Sequence, residues 1–229
     1  MNSKTSDEKT ELKIVRRLMK ANDDWAHRIR KLLSKRNIIS LNIISSPGSG
    51  KTTILEHTID ELRDNYNILV LEGDIATTRD ADRIQKHHVP VVQLLTEGSC
   101  HLDANLIYKA LEDMDLSAID LLMIENVGNM ICPAEFDIGE HYKIAVISVP
   151  EGDDKILKYP KLFRESACVI LNKIDLIPYV DFQKKKIYDD MNKLNPTIPL
   201  FEMSCKTGQG MDHWFGWIKK QMNKHALIT

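Results

Sequence analysis

Apolar residues recur at three- and four-residue steps from Leu12 to Leu33, at Leu12, Val15, Leu18, Met19, Trp25, Ile29, Leu32 and Leu33, with Lys and Arg on the other faces. This spacing predicts one long amphipathic helix. Such a stripe docks on its own protein or offers a face to a partner, and the pattern does not separate the two. Past Arg36 the run Asn37-Ile38-Ile39-Ser40-Leu41-Asn42-Ile43-Ile44, closed by Ser, Pro and Gly, has the length and content of a buried parallel strand. Strand-like segments follow at Ile68–Leu71, Val91–Leu95, Leu121–Ile124, Ile144–Val149, Val169–Leu171 and Leu200–Met203. They alternate with helix-like ones at Thr52–Asp64, Asp80–Lys86, Leu102–Leu111, Phe182–Leu194 and Met211–Lys224. The alternation predicts βαβ units: an α/β fold with a mainly parallel sheet and helices on both faces. Residues 1–36 form a tail and amphipathic helix, with Met1–Glu11 expected to be mobile, and residues 37–229 form the α/β domain. The segment Glu151–Lys155 has no assigned element.

Charge and composition exclude some classes. The chain has 229 residues, 43% of them hydrophobic, enough for a continuous core, and 31 basic against 33 acidic residues leave a net charge of -2. No nucleic-acid or membrane partner is implied. The polar start and the lack of a long apolar run lead us to expect a soluble, cytoplasmic protein. The four cysteines, Cys100, Cys132, Cys168 and Cys205, are expected as thiols, because a chain with its own core needs no disulfide framework.

The strongest chemical signal is Ser45-Ser46-Pro47-Gly48-Ser49-Gly50-Lys51-Thr52-Thr53, directly after a strand and before a helix. This is the setting of a P-loop nucleoside triphosphatase: glycines let successive backbone N–H groups surround phosphate oxygens, and the helix N-terminus adds its dipole. Lys51 would reach the β and γ phosphates and the Thr52 hydroxyl would ligate Mg²⁺. Ser45 replaces the first glycine of the usual pattern, so that turn is made without one.

Asn172-Lys173-Ile174-Asp175 follows a strand and matches the N-K-x-D motif of GTP-binding proteins. The Asp175 carboxylate accepts from the ring N–H and exocyclic amine of guanine, a donor pair that adenine lacks, which favours GTP/GDP over ATP. Ser204-Cys205-Lys206 resembles the second base-contacting loop of the same proteins. Two acidic positions are candidates to complete the Mg²⁺ sphere: Asp74, with helix capping as its alternative, and Glu125 in Glu125-Asn126-Val127-Gly128, with surface exposure as its alternative. That last stretch has D-x-x-G switch spacing with Glu for Asp. No Gln stands where a Ras-like protein places its water-positioning residue, so intrinsic hydrolysis should be slow.

Cys100-His101 and the distant Cys132 offer thiolate and imidazole donors suited to Ni²⁺ or Zn²⁺. Their spacing is not that of a zinc finger, so the residues alone leave metal binding and a structural role both open. Cys168 and Cys205 read as core or loop residues, and His87-His88 as solvated or capping ones.

Taken together, Ser46–Thr53, Gly73-Asp74, Asp80-Ala81-Asp82-Arg83-Ile84, Cys100-His101-Leu102-Asp103-Ala104, Glu125–Asn129 and Cys132-Pro133-Ala134-Glu135-Phe136-Asp137-Ile138-Gly139-Glu140 resemble the hydrogenase nickel-incorporation GTPase family, HypB. The similarity runs from about Ile38 to the C-terminal helix. It implies a cytoplasmic GTPase that dimerises with nucleotide and helps deliver nickel to the large subunit of nickel–iron hydrogenase, with a small zinc-containing partner protein. It further implies that Cys100, His101 and Cys132 are metal ligands near the dimer interface. Some members carry a Cys- or His-rich N-terminal tract, whereas residues 1–36 here hold no Cys and only His27, so nickel storage by this segment is not expected. The urease nickel GTPase, with a Cys-Pro-His motif, is less similar. A metal-delivery GTPase accounts for the P-loop, N-K-x-D and Cys-His together; a small-molecule kinase accounts for the first alone and a metal-bridged scaffold for the last alone.

Overall fold

In the computed structural model the described residues are 3–74, 79–96 and 98–227, with side chains described from Arg17 onward and not for Asp74 or Arg79. Seven strands form one sheet: β1 (Ile39–Ser45), β2 (Ile68–Asp74), β3 (Val91–Leu95), β4 (Leu121–Glu125), β5 (Tyr142–Ser148), β6 (Cys168–Asn172) and β7 (Leu200–Glu202). Their order is β3-β2-β4-β1-β5-β6-β7, and every described pairing is parallel. β1 lies in the middle, so the loop leaving it opens at the carboxyl edge where the strand order reverses, the place where open α/β folds bind their ligands.

The helices are α1 (Ser3–Arg36), α2 (Lys51–Leu62), α3 (Arg79–Gln85), α4 (Ala104–Glu112), α5 (Cys132–Glu135), α6 (Lys155–Lys158), α7 (Pro160–Glu165), α8 (Lys184–Leu194) and α9 (Met211–Ala226). Helices and strands match the expected pattern within a few residues, with two corrections. Residues 3–11, expected to be a mobile tail, continue α1, since no Gly or Pro interrupts the segment 3–36. Leu102 and Asp103 precede α4 rather than lying in it: the Asp103 carboxylate accepts from the Leu106 N–H at 2.8 Å and caps the helix. The unassigned stretch around residue 151 is a 3₁₀ turn over Val149–Glu151 leading into α6.

Alternation along the strands sorts the core by face. Ile39, Leu41 and Ile43 of β1, with Ile68 and Val70, Leu121 and Met123, and Ile144 and Val146, join α2 and α9 on one face. On the other face Leu69, Leu71, Leu122 and Ile124 meet α1 and α4 through Ala26, Ile29, Leu33 and Ile107, all buried. Ala145, Ile147, Val169 and Leu171 meet α7 and α8. Thus α1 docks on its own domain from Asn22 to Leu33, whereas Leu18 of the same stripe stays 63% exposed. Between the two halves of this second face lies a polar seam, Ser40 and Asn42 of β1, both fully buried. No described helix is long and apolar enough to cross a membrane.

Candidate functional site

The loop from β1 to α2 turns through Gly48 (φ 77°) and Gly50 (φ 97°), backbone conformations that side-chain-bearing residues avoid. Gly50 also lies against Asn172: a Cβ there would stand 2.6 Å from Asn172 Nδ2. Ser45, the replacement for the first glycine, has taken on a contact of its own. Its hydroxyl donates to the Ser46 carbonyl at 2.7 Å and accepts from Lys51 Nζ at 3.1 Å, which aims the ammonium back over the loop. Lys51 is buried, and that burial lowers its pKa despite the opposing pull of Glu125.

A cavity of about 550 Å³ opens above this loop, lined by Pro47, Gly48, Gly50, Lys51, Thr52 and Thr53 and, from facing elements, by Glu72, Gly73, Asp80, Arg83, Glu125, Asn126, Val127, Gly128 and Lys173. Glu125 is 4% exposed, which removes the surface alternative. Its Oε1 accepts from Thr52 Oγ1 at 2.8 Å, while its buried Oε2 has no hydrogen-bond partner among the described residues. Burial drives the carboxyl up to about 7, against the influence of Lys51 and Thr52. A hydroxyl beside a buried carboxylate with a vacant oxygen fits a hard divalent cation. The backbone of Asp74 ends β2, and its side chain lies outside the described residues. Glu72, two residues earlier and in register with Glu125, is the described β2 carboxylate that lines the cavity.

A second cavity of about 390 Å³ adjoins the first, lined by Gly50, Thr53, Asn172, Lys173, Asp175, Leu176, Ser204, Cys205 and Lys206. Asn172 Nδ2 donates to the Ser49 carbonyl at 2.9 Å, and Lys173, at φ 62°, donates through Nζ to the Gly48 carbonyl at 2.6 Å. The N-K-x-D loop is thereby tied to the P-loop. Ser204 Oγ donates to Asp175 Oδ1 at 2.6 Å, and the Cys205 N–H to Asn172 Oδ1 at 3.4 Å. Burial raises the Cys205 thiol to about 11, so it stays protonated near neutrality.

Cys100, His101 and Cys132 also meet, although they come from separate segments. One donor atom of each lies within 4.8 Å of the others, and all three residues are partly exposed. Cys100 Sγ is 3.7 Å from His101 Nδ1, and the imidazole stacks on Phe136 with ring centroids 3.8 Å apart. The hydrogen bond with Cys100 is the main influence raising the Cys132 thiol pKa, while burial lowers that of His101. Two soft thiolates and an imidazole at this separation suit Ni²⁺ or Zn²⁺.

The model of the CobW/HypB/UreG nucleotide-binding domain matches residues 40–202. The chain is 43% identical over 213 residues to the probable hydrogenase maturation factor HypB of Methanocaldococcus jannaschii, covering 93% of this chain and 96% of that one. It is 44% identical over 200 residues to the hydrogenase maturation factor HypB of Escherichia coli, covering 87% and 69%. The crystal structure of HypB from Helicobacter pylori in complex with nickel superposes with a TM-score of 0.83 at 39% identity, covering 89% of this chain and 96% of that one. The chain belongs to the HypB family.

Within this family member a buried relay, not visible in the motifs, joins the two regions. Asn126 Oδ1 accepts from the N–H of Leu102, next to His101, at 3.3 Å, and its Nδ2 donates to Asn42 Oδ1 on the polar seam at 3.1 Å. Asn42 Nδ2 in turn donates to Glu140 Oε1 at 3.2 Å. Two close approaches complete the link: a Cβ on Gly128 would lie 2.9 Å from Pro47 Cγ, and one on Gly73 would lie 2.8 Å from Leu102. Arg83 on α3 was visible only as part of a familiar string. Its guanidinium pairs with Glu56 and donates to Thr53 Oγ1 at 3.1 Å at the edge of the phosphate cavity. Glu151 lies in a stretch whose pattern predicts no element; its Oε2 accepts from Ser49 Oγ at 2.6 Å and braces the P-loop from the β5 side.

Proposed function

We propose that this chain is a GTP-hydrolysing metallochaperone that assists nickel insertion into nickel–iron hydrogenase during its maturation. The observation that carries the reading is the meeting of Cys100, His101 and Cys132 beside a segment that also borders the phosphate cavity. The neighbouring cavity takes the guanine base, with Asp175 accepting from its N1–H and 2-amino group, and Asn172, Ser204, Cys205 and Lys206 forming the wall. The backbone of Pro47 to Thr53 surrounds the phosphates, and Lys51 offsets the charge that develops on them. Thr52 and Glu125, with Asp74, hold Mg²⁺, which when bound neutralises phosphate charge. Cys100, His101 and Cys132 hold the nickel cargo, or zinc in its place, and three protein donors leave a position for an acceptor's ligand.

Two chains associate when GTP is bound. A small zinc-containing nickel-delivery protein and the hydrogenase large subunit are the partners, in the cytoplasm. The test is a nickel and zinc titration of the protein in apo, GDP and GTP-analogue states, with light scattering. Expected are one tight nickel site lost in Cys100→Ala and Cys132→Ala, an affinity that depends on the nucleotide, and slow GTP hydrolysis abolished by Lys51→Ala. Undiminished nickel affinity in both cysteine variants would remove the metal assignment, and equal turnover of ATP and GTP would remove the GTPase assignment.

A further inference from the structure

The three donor residues sit on two segments: the loop before α4 carries Cys100 and His101, and α5 starts at Cys132. They touch directly where His101 stacks on Phe136 and where Asn129 donates to the Cys100 carbonyl at 3.4 Å. Asn22 of α1 also connects them. Only 7% exposed, it donates from Nδ2 to the Asp137 carbonyl at 2.6 Å and accepts at Oδ1 from the Ala104 N–H at 3.0 Å. Asp137 adjoins Phe136, on which His101 stacks, and Ala104 follows His101 by three residues. The path His101, Phe136, Asp137, Asn22, Ala104 and back to His101 is therefore a closed ring, with the Asn22 amide as its one contribution from α1. Farther along the helix, Arg30 grips Asp137 through two hydrogen bonds, at 2.6 and 2.8 Å, and Gly139 lies so close that a Cβ there would stand 2.7 Å from the Ala26 carbonyl. An amide with both its donor and its acceptor used, on two different segments, fixes their separation as an apolar contact of the same size does not.

We propose that Asn22 is a positioning residue for the Cys100, His101 and Cys132 site, holding its two segments at ligand distance and making α1 a structural part of the metal centre. This rests on the metal assignment above. Removing a partner that orients ligands typically weakens metal affinity by about 10–100-fold.

The experiment compares the full chain with Asn22→Ala, Asn22→Leu and Leu33→Ala in nickel titration, with thermal unfolding alongside. Leu33 is fully buried on the same helix, about 16 Å farther along it, where α1 turns into β1. Expected is a loss of nickel affinity in both Asn22 variants and none in Leu33→Ala at an equal or greater drop in Tm. Wild-type affinity in the folded Asn22 variants would overturn the proposal, as would an equal loss in Leu33→Ala, which marks a merely structural effect. A metal-free readout decides independently: the equilibrium for closing a Cys100–Cys132 disulfide against oxidised glutathione measures how closely the two segments are held. Asn22→Ala should shift it toward the open dithiol by about 10-fold, and an unchanged equilibrium would overturn the proposal. Should Cys100→Ala and Cys132→Ala both bind nickel normally, the metal assignment fails, and the thiol equilibrium still decides the role of Asn22.

Discussion

Thr52 Oγ1 and Glu125 Oε1 share a hydrogen bond of 2.8 Å across 73 residues of sequence, joining the first turn of α2 to the end of β4. Both groups are buried, and the second Glu125 oxygen has no hydrogen-bond partner among the described residues. Glu125→Gln keeps the size of the side chain and the contact to Thr52 but removes the charge that attracts a cation. We expect Mg²⁺-dependent GTP hydrolysis to fall by at least about 10²-fold, the scale of a metal's charge stabilisation, while GDP affinity without Mg²⁺ changes little. Hydrolysis in Glu125→Gln at the wild-type rate and Mg²⁺ requirement would place the cation elsewhere.

The second prediction concerns the base. Asp175 receives the Ser204 hydroxyl at 2.6 Å on Oδ1 and lines the cavity proposed for the base. Asp175→Asn replaces an acceptor by an amide that also donates, which mismatches the guanine 2-amino group and matches the carbonyl at that position in xanthine. GTP affinity should fall by about 10–100-fold, the cost of unpaired buried groups, and XTP affinity should rise. Competition binding with GTP, XTP and ATP checks this, and an unchanged GTP to XTP ratio would move the base away from Asp175.

What could be read from the sequence depended on whether the chemistry was contiguous. Lys51 and Thr52, or Asn172 and Asp175, lie within single loops whose spacing follows from one strand-to-helix turn. The parallel sheet was legible because buried strands read as apolar runs, although the strand order was not. Cys100, His101 and Cys132 were visible as donors, but nothing local sets a distance across their separation. Asn22 and Asn42 carried no signal, and Asn126 was visible only as part of the switch-like string: an asparagine in a helix stripe or a strand looks like an interruption until the tertiary fold supplies both its partners. The short α5, α6 and α7 were missed because four to six residues do not establish a helical period.

A pH effect follows from the polar seam. His141 accepts at Nδ1 from the Ser40 N–H at 3.2 Å, and burial, with His225 and Arg30 adding to it, lowers its pKa to about 4. An unfolded chain protonates this imidazole near 6.5, before the folded one does. Its contribution to stability is therefore complete above pH 6.5 and is lost as pH falls from there toward 4. Glu140 next to it is raised by burial and works in the opposite sense, so the variant and not the bare profile isolates the effect. Between pH 7.5 and 5, the wild type should lose about 1 kcal/mol more than His141→Asn, roughly 2–4 °C in Tm, after allowance for solvent screening of a partly exposed ring. Identical slopes in thermal melts would exclude His141 as the titrating group.

The last prediction tests how nucleotide and metal communicate. Gly128 leaves no room on its Pro47 side: a Cβ would stand 2.9 Å from Pro47 Cγ and 3.2 Å from Pro47 Cα and N, which belong to backbone and ring and cannot turn away. Gly128→Ala must therefore push the segment after Glu125 off the P-loop. The next residue, Asn129, donates to the Cys100 carbonyl at 3.4 Å and accepts from the Ile131 N–H at 2.8 Å, so the displacement passes to both cysteine-bearing segments. Coupling between two ligands is reciprocal, typically 5–150-fold in affinity, and needs an element that both bias. If the segment from Glu125 to Cys132 is that element, Gly128→Ala should retain GDP binding within about 10-fold and leave a nickel affinity nearly equal with GDP and with a GTP analogue. Paired nickel titrations of wild type and variant, each with both nucleotides, measure this directly. A variant whose nickel affinity responds to nucleotide as strongly as the wild type would show that the message travels by another route, with the Asn126 hydrogen bond to Leu102 the next to remove.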